Sequence, residues 1–255
     1  MLMKDSKLKQ WIMVFSPVLV YMLLNSTLKF IFDFVFEKSS WDILASIERS
    51  VLVSSASTIC MLPIVLVWYY FINKSIHFNK LQSVSNYLIL GIEIIIMSLA
   101  ISIATMFVMD LIYGDLRDVG KASTIELVAV CFVAPICEEL IYRDVVFKRC
   151  NVYFGKGFAI IFSGLMFGVA HSGSAVQMLI AIVVGMIFNL IYLRYHSVIV
   201  TILVHMAVNL ISYSPYIQML PNSILILGFV SFVIMLIILL YHYNDDEGRI
   251  KFKGE

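Results

Sequence analysis

The stretch APICEELIYRDV, residues 134–145, places two adjacent glutamates and an arginine inside a run that otherwise has the composition of a membrane helix. The 255-residue chain is 61% hydrophobic, has a mean hydropathy of +0.96, and contains only 14% charged residues. Soluble domains carry about 25% charged residues. Because a charge inside hydrocarbon is costly, Glu138, Glu139 and Arg143 need partners or a chemical task.

The long apolar runs around this stretch predict an all-α, polytopic membrane protein. A backbone in lipid must satisfy its own hydrogen bonds as helices or a closed barrel, and unbroken runs of about 20 apolar residues favour helices. We predict a single integral membrane domain over residues 1–255. Its predicted spans, about eight in number, lie at 11–36, 50–72, 86–113, 124–150, 157–172, 175–195, 197–213 and 221–243.

The distribution of Lys and Arg predicts the orientation of these spans. Most of them fall on the side that carries both termini, whereas Lys38, Arg49, Arg117 and Lys121 fall on the other. Because cytoplasmic loops carry the excess of basic residues, we predict a cell-membrane protein with both termini in the cytoplasm.

Several classes of function find no support in the sequence. There is no basic tract that would follow phosphates, so we predict no nucleic-acid partner. Dinucleotide-binding and P-loop glycine patterns are absent, and no serine lies in a Ser–His–Asp arrangement. The four cysteines lie within or at the ends of apolar runs without CxxC spacing, which predicts that they are small buried hydrophobic side chains.

The two glutamates are predicted to face different surroundings. Glu139 and Arg143 are four residues apart, so they share one helix face and can form an ion pair. Glu138 is rotated by about 100° from Glu139, because a helical turn contains 3.6 residues. One glutamate can therefore have a structural role while the other transfers protons.

Two later patterns add polar side chains to the spans. FGVAH places Phe167 and His171 at an i, i+4 spacing, and HMAVN does the same for His205 and Asn209. A lone histidine in a span is more often an interhelical hydrogen-bonding group. Counting about 1.5 Å per residue, however, puts Glu138 and His171 at similar depths, and we predict that all these polar groups meet in one hydrated cavity.

A carboxylate, two imidazoles and a carboxamide are suited to hydrolysis. Glu138 could take a proton from water that His171 helps to position. His205 and the Asn209 amide could donate hydrogen bonds to the oxyanion of a tetrahedral intermediate. Glu138, His171 and His205 are also a possible zinc ligand set with an open position for water, so the residues leave two cofactor alternatives, none or zinc.

The three patterns, EELIYR, FGVAH and HMAVN in this order, resemble the CAAX-protease and bacteriocin-processing family. That family is also called the abortive-infection, type II CAAX prenyl endopeptidase or lysostaphin resistance protein A-like family. The resemblance covers residues 123–213, which it identifies as the catalytic core. It implies an eight-helix intramembrane endopeptidase with a conical cavity. It also implies water activation by Glu138 and His171, an oxyanion hole of His205 and Asn209, and supporting roles for Glu139, Arg143 and Phe167.

The resemblance further implies the class of substrate. We expect a membrane-associated peptide, leader or lipidated protein, with membrane lipids as surroundings, and a role in bacteriocin maturation, self-immunity or peptide-pheromone processing. The alternative is a non-proteolytic membrane protein for immunity or regulation, in which the polar cluster only ties helices together and a partner membrane protein is bound. The sequence leaves the natural substrate, its cleavage site and the oligomeric state open.

Overall fold

The computed structural model describes residues 6–38, 48–73, 87–113, 122–171, 173–214 and 219–245. These ranges contain helices and no strand, so the predicted all-α fold is confirmed. Their helical rods are α1 (Lys7–Lys38), α2 (Arg49–Asn73), α3 (Tyr87–Tyr113), α4 (124–154), α5 (Lys156–Ala170), α6 (Ala175–Tyr195), α7 (Val198–Ser212) and α8 (Asn222–Asp245). Their bounds agree with the predicted spans to within a few residues.

The rods differ in whether they can cross a bilayer by themselves. By length and composition, α1, α2, α3, α6 and α8 are long and apolar enough to do so. The α5 and α7 helices contain 15 residues each. Such a helix is about 22 Å long, which is less than the hydrocarbon thickness of about 30 Å. Each of these short helices is therefore too short to span the hydrocarbon layer by itself.

The orientation of the bundle stays a prediction. Many of the basic residues on which it depends lie outside the described ranges, namely Lys4, Lys74, Lys80, Arg117, Lys121, Arg249, Lys251 and Lys253.

The α4 rod alternates between two kinds of helix. Its α-helical parts are Thr124–Val128, Ala134–Glu139 and Lys148–Phe154, and its π-helical parts are Ala129–Val133 and Leu140–Phe147. The two π-helical parts flank the segment that carries both glutamates. Because each π turn contains an extra residue, it rotates the following side chains relative to a regular helix, and such turns are frequent at functional sites.

A proline in α1 ties that helix to α4. Pro17 lies inside α1 and has no N–H, so it leaves the carbonyl of Met13 without its usual partner. Arg149 of α4 donates a hydrogen bond from Nη1 to this Met13 oxygen at 2.8 Å. The proline thus creates an acceptor that a neighbouring helix uses.

Glycines bring α5 and α6 into close contact. A Cβ atom on Gly164 would lie 3.1 Å from the backbone oxygen of Ile182, and one on Gly168 would lie 2.8 Å from the backbone oxygen of Met178. From the other helix, a Cβ atom on Gly185 would lie 3.1 Å from the Cβ atom of Phe167. The small residues therefore let the helix that carries Phe167 pack backbone to backbone on α6.

Buried serines hold α7 against α3. The Ser98 hydroxyl lies 2.7 Å from the backbone oxygen of Ile94 in its own helix and 3.2 Å from that of Val204, and the Ser102 hydroxyl donates to the backbone oxygen of Val208 at 3.2 Å. Both serine side chains are buried. These contacts fix the turn of α7 that carries His205, which is directly preceded by Val204.

A third set of polar contacts joins α4, α5 and α6. The Ser163 hydroxyl of α5 donates to the backbone oxygen of Tyr142 at 3.0 Å, in the second π-helical part of α4. Asn189 of α6 donates from Nδ2 to the backbone oxygen of Ile160 at 3.0 Å. The helices that carry the site residues are therefore linked by hydrogen bonds as well as by apolar packing.

Candidate active site

Side chains from three helices meet at Glu138. Its Oε1 atom lies 3.7 Å from Nε2 of His171, and its Oε2 atom lies 3.9 Å from Nε2 of His205. Both distances exceed that of a direct hydrogen bond, so a water molecule would have to lie beside each pair of atoms to contact both partners. The structure therefore brings together the acid of α4 and the two imidazoles of the later patterns.

The opposite ring nitrogen of each histidine is held by an acceptor. Nδ1 of His171 lies 2.8 Å from the backbone oxygen of Phe167, and Nδ1 of His205 lies 2.9 Å from Oε1 of Glu139. Because a carbonyl and an ionised carboxylate only accept hydrogen bonds, Nδ1 carries the proton in both rings. In the neutral rings, Nε2 is then left as an acceptor that faces Glu138.

The predicted ion pair between Glu139 and Arg143 is present at the bottom of the site. Nε of Arg143 lies 3.1 Å from Oε2 of Glu139, both side chains are completely buried, and the contact lacks the alignment of a hydrogen bond. Nη2 of Arg143 donates to the backbone oxygen of Gly185 at 3.2 Å. The guanidinium also lies over the rings of Phe167 and Phe188, at 4.6 and 5.2 Å from their centroids. The buried positive charge thus has an anion, a carbonyl and two aromatic faces around it.

Phe167 packs against both histidines. Its ring centroid lies 4.4 Å from that of His171 and 5.9 Å from that of His205. The same ring is edge-on to Tyr142 at 5.3 Å. Phe167 therefore fixes the orientation of the imidazoles by packing, while its carbonyl fixes one of them by a hydrogen bond.

Asn209 lies one turn beyond His205 on the same face of α7. Its Nδ2 atom donates a hydrogen bond to the backbone oxygen of Val130, in the first π-helical part of α4, at 2.8 Å. One of the two amide hydrogens is therefore engaged with the backbone. The amide group carries a second hydrogen that this bond does not use.

Exposure falls steadily across the site. The side chain of His171 is 38% exposed, that of Glu138 12%, that of His205 7%, and that of Glu139 is completely buried. His171 is therefore the most accessible of the four side chains, and Glu139 of the buried ion pair is the least accessible.

The segment that forms this site matches a known family. Residues 120–211 match the family described as Rce1-like: Type II CAAX prenyl endopeptidase Rce1-like. The resemblance is confirmed over this segment. It begins just before α4 and ends in the last turn of α7, so it contains all three sequence patterns and nearly coincides with the predicted core at 123–213. The match covers less than half of the chain and leaves out α1, α2, α3 and α8. No curated protein and no solved structure was found to match.

The predicted zinc alternative needs three ligand side chains that lie close together. Within the ranges that the structure describes, no three His, Cys, Asp or Glu side chains are grouped in a way that could hold a metal ion. The two cofactor alternatives, none and zinc, therefore stay predictions, and we derive no catalytic step through a metal.

A buried carboxylate beside the site was missed by the sequence interpretation. Asp144 accepts hydrogen bonds from the hydroxyl groups of Tyr69 and Tyr192, the latter at 3.2 Å, and forms an ion pair with Lys148. It thereby ties α4 to α2 and α6. The spacing of four residues between Asp144 and Lys148 would have predicted their ion pair. The hydrogen bonds from Tyr69 and Tyr192 could not be predicted in this way, because these residues lie on other helices.

The prediction for the cysteines is confirmed for three of them. Cys131, Cys137 and Cys150 are buried free thiols, and Cys60 is partly buried.

Proposed function

We propose that this protein is an intramembrane endopeptidase that hydrolyses a peptide bond in a membrane-associated substrate. The observation that carries the proposal is the convergence of Glu138 with Nε2 of His171 and of His205, at 3.7 and 3.9 Å. The match of residues 120–211 to an endopeptidase family supports it.

In the proposed first step, a water molecule between Glu138 and His171 is the nucleophile. It donates one hydrogen bond to the carboxylate and one to Nε2 of the imidazole, which leaves its lone pairs free for attack. As the water oxygen bonds to the scissile carbonyl carbon, one water O–H bond breaks and Glu138 takes the proton. The carbonyl π electrons move to the oxygen and form an oxyanion.

The oxyanion needs donors aimed at it before the reaction begins. We propose that these are Nε2–H of His205 and the second amide hydrogen of Asn209. Donation from Nε2 requires a proton on both ring nitrogens of His205. The Glu139 carboxylate, 2.9 Å from Nδ1, is the group that balances the resulting positive charge.

In the proposed second step, the tetrahedral intermediate collapses and the C–N bond breaks. Glu138 returns its proton to the leaving nitrogen, so that the products are a carboxylic acid and an amine. Glu139, Arg143 and Phe167 take no part in proton transfer. They hold the imidazoles in the orientation that both steps require.

The proposed substrates are membrane-associated peptides, leaders or lipidated proteins, in bacteriocin maturation, self-immunity or peptide-pheromone processing. Support comes from the many large apolar side chains exposed on the bundle, among them Phe30, Ile95 and Leu227. They place the chain in a bilayer, where such substrates are concentrated.

A glutamine at position 138 tests the proposal. Glu138→Gln keeps the size of the side chain but removes the base, and loss of a general base slows a reaction by about 10²–10⁴-fold. We would compare membrane peptides by mass spectrometry in cells that produce the wild type or this variant, and measure cleavage of the peptides that differ. The matched control is Glu93→Gln, since Glu93 is a partly exposed carboxylate in α3 that pairs with Arg194.

The expected result is that the Glu138 variant accumulates uncleaved substrate at normal protein levels, whereas the Glu93 variant cleaves at the wild-type rate. Cleavage at the wild-type rate by a folded Glu138→Gln protein would contradict the proposal and favour the non-proteolytic alternative.

A further inference from the structure

Pro135 leaves one backbone oxygen of α4 without an intrahelical hydrogen bond, whether the helix at this point is α or π. Because proline has no N–H, a regular α-helix would lose the bond to the carbonyl four residues earlier, on Cys131. A π turn would instead lose the bond to the carbonyl five residues earlier, on Val130. The sequence alone does not decide between these two acceptors.

The structure shows that Val130 provides the unpaired oxygen. The backbone N–H of Ala134 donates to the oxygen of Ala129, five residues earlier. It therefore does not form the α-helical bond to the oxygen of Val130. Pro135 cannot replace it, and Nδ2 of Asn209 donates to the Val130 oxygen instead, at 2.8 Å. An acceptor left unpaired within a membrane helix is destabilising, so this side-chain bond favours the π register over the α register.

We infer that Pro135 and Asn209 together set the helical register of α4, and through it the direction in which Glu138 and Glu139 point. The extra residue of the π turn rotates all later side chains by about 100° relative to the start of α4. In the α register, Glu139 would turn away from Nδ1 of His205, and Glu138 would turn away from both Nε2 atoms.

His205 and Asn209 lie on the same face of α7, so one helix contacts both the π turn and the glutamate that the turn orients. Asn209 is thus a positioning residue in addition to its proposed contact with the oxyanion. The catalytic consequence of this register rests on the proposed function, but the register itself does not.

A double-mutant cycle tests the pairing. Asn209→Leu removes the donor and leaves the Val130 oxygen unpaired, so the melting temperature of the purified protein in detergent should fall. Pro135→Ala adds a backbone N–H that can reach the Val130 oxygen through an i+5 bond. The double variant should therefore recover at least half of the loss. The matched control is Pro63→Ala, which removes a proline from inside α2.

A spectroscopic measurement tests the register. In protein labelled with ¹⁵N-histidine, the Nδ1 resonance of His205 reports its bond to Glu139 and is assigned by its absence in His205→Gln. Asn209→Leu should move this resonance to its position in a Glu139→Gln variant.

The inference is overturned if the resonance stays at its wild-type position in Asn209→Leu. It is also overturned if Pro135→Ala restores no stability, or no more than Pro63→Ala does, in the Asn209→Leu background. Neither measurement involves cleavage. Failure of the peptidase proposal would therefore leave them unchanged, and their failure would leave the Glu138→Gln result unchanged.

Discussion

Removing the positive charge of Arg143 should strongly destabilise the protein. Arg143→Met keeps an apolar stem of similar length but leaves Glu139 without its counter-ion. Because both side chains are completely buried and their charged atoms lie 3.1 Å apart, water cannot replace the lost partner. Breaking a buried ion pair by removing one member costs about 3–5 kcal/mol.

Two further interactions are lost in the same substitution. The hydrogen bond from Arg143 to the oxygen of Gly185 involves a charged donor, and such bonds contribute about 1.5–3 kcal/mol. The cation–π contacts with Phe167 and Phe188 contribute up to about 2 kcal/mol. These values overlap with the cost of the ion pair, and the methionine packs on the same rings. We therefore expect a loss of about 4 kcal/mol, a large part of a typical stability of about 5–15 kcal/mol.

The assay is reversible denaturation of the purified protein in mixed detergent micelles, followed by circular dichroism. Arg194→Met is the matched control, because the Arg194–Glu93 pair has side chains that are 23% and 34% exposed. Exposed pairs contribute about 0–1 kcal/mol, and Glu93 keeps its hydrogen bond from the Tyr195 hydroxyl when Arg194 is replaced. A second variant replaces both members of the buried pair, as Glu139→Leu with Arg143→Met. It should regain most of the stability, because two apolar residues leave no unpaired charge.

The double variant should nevertheless be inactive as a peptidase, since His205 loses the acceptor at Nδ1. The double variant would then be stable but inactive, which separates the effect of the buried pair on stability from its effect on activity. The reasoning is refuted if Arg143→Met is no less stable than Arg194→Met, or if the double variant is as unstable as Arg143→Met alone.

Three further predictions follow from the contacts described above. Gly168→Ala should lower the free energy of unfolding by about 1–3 kcal/mol in the same denaturation assay, because the added Cβ atom would meet the α6 backbone. The control is Gly91→Ala, where a Cβ atom would have nothing within 4 Å, and it should raise the free energy of unfolding by up to about 1 kcal/mol. Tyr69→Phe removes a hydrogen bond to the buried Asp144 carboxylate and should cost about 1.5–3 kcal/mol while the cleavage rate stays within twofold of wild type. Prolonged dialysis against a chelator should leave the cleavage rate unchanged, because the proposed reaction uses only protein groups and water; a loss that added Zn²⁺ restores would contradict this.

Residue counting alone could not establish that the site residues meet. Glu138 lies 16 residues from the end of α4, or about 24 Å, whereas His205 lies only seven residues into α7, or about 10 Å. Their contact depends on how far the two helices are offset and tilted, which is decided by packing such as that of the glycines between α5 and α6 and of the buried serines between α3 and α7.

The sequence by itself determined the features that depend on local spacing. Runs of apolar residues set the lengths of the helices, because a helix buries its own backbone hydrogen bonds whatever its neighbours are. The spacing of four residues put Glu139 and Arg143 on one face, and the order of the three patterns indicated the family. Each of these features is contained within a single helix or in the order of helices along the chain.

Only the tertiary structure decided which groups from different helices are partners. Glu139 contacts His205 across 66 residues of sequence, and Asp144 collects its donors from α2 and α6. The hydrogen bond from Asn209 to the Val130 oxygen likewise joins α7 to α4. Helical periodicity fixes the angles between side chains on one rod, but not the rotation of that rod against its neighbours. That rotation follows from the packing of all the helices together.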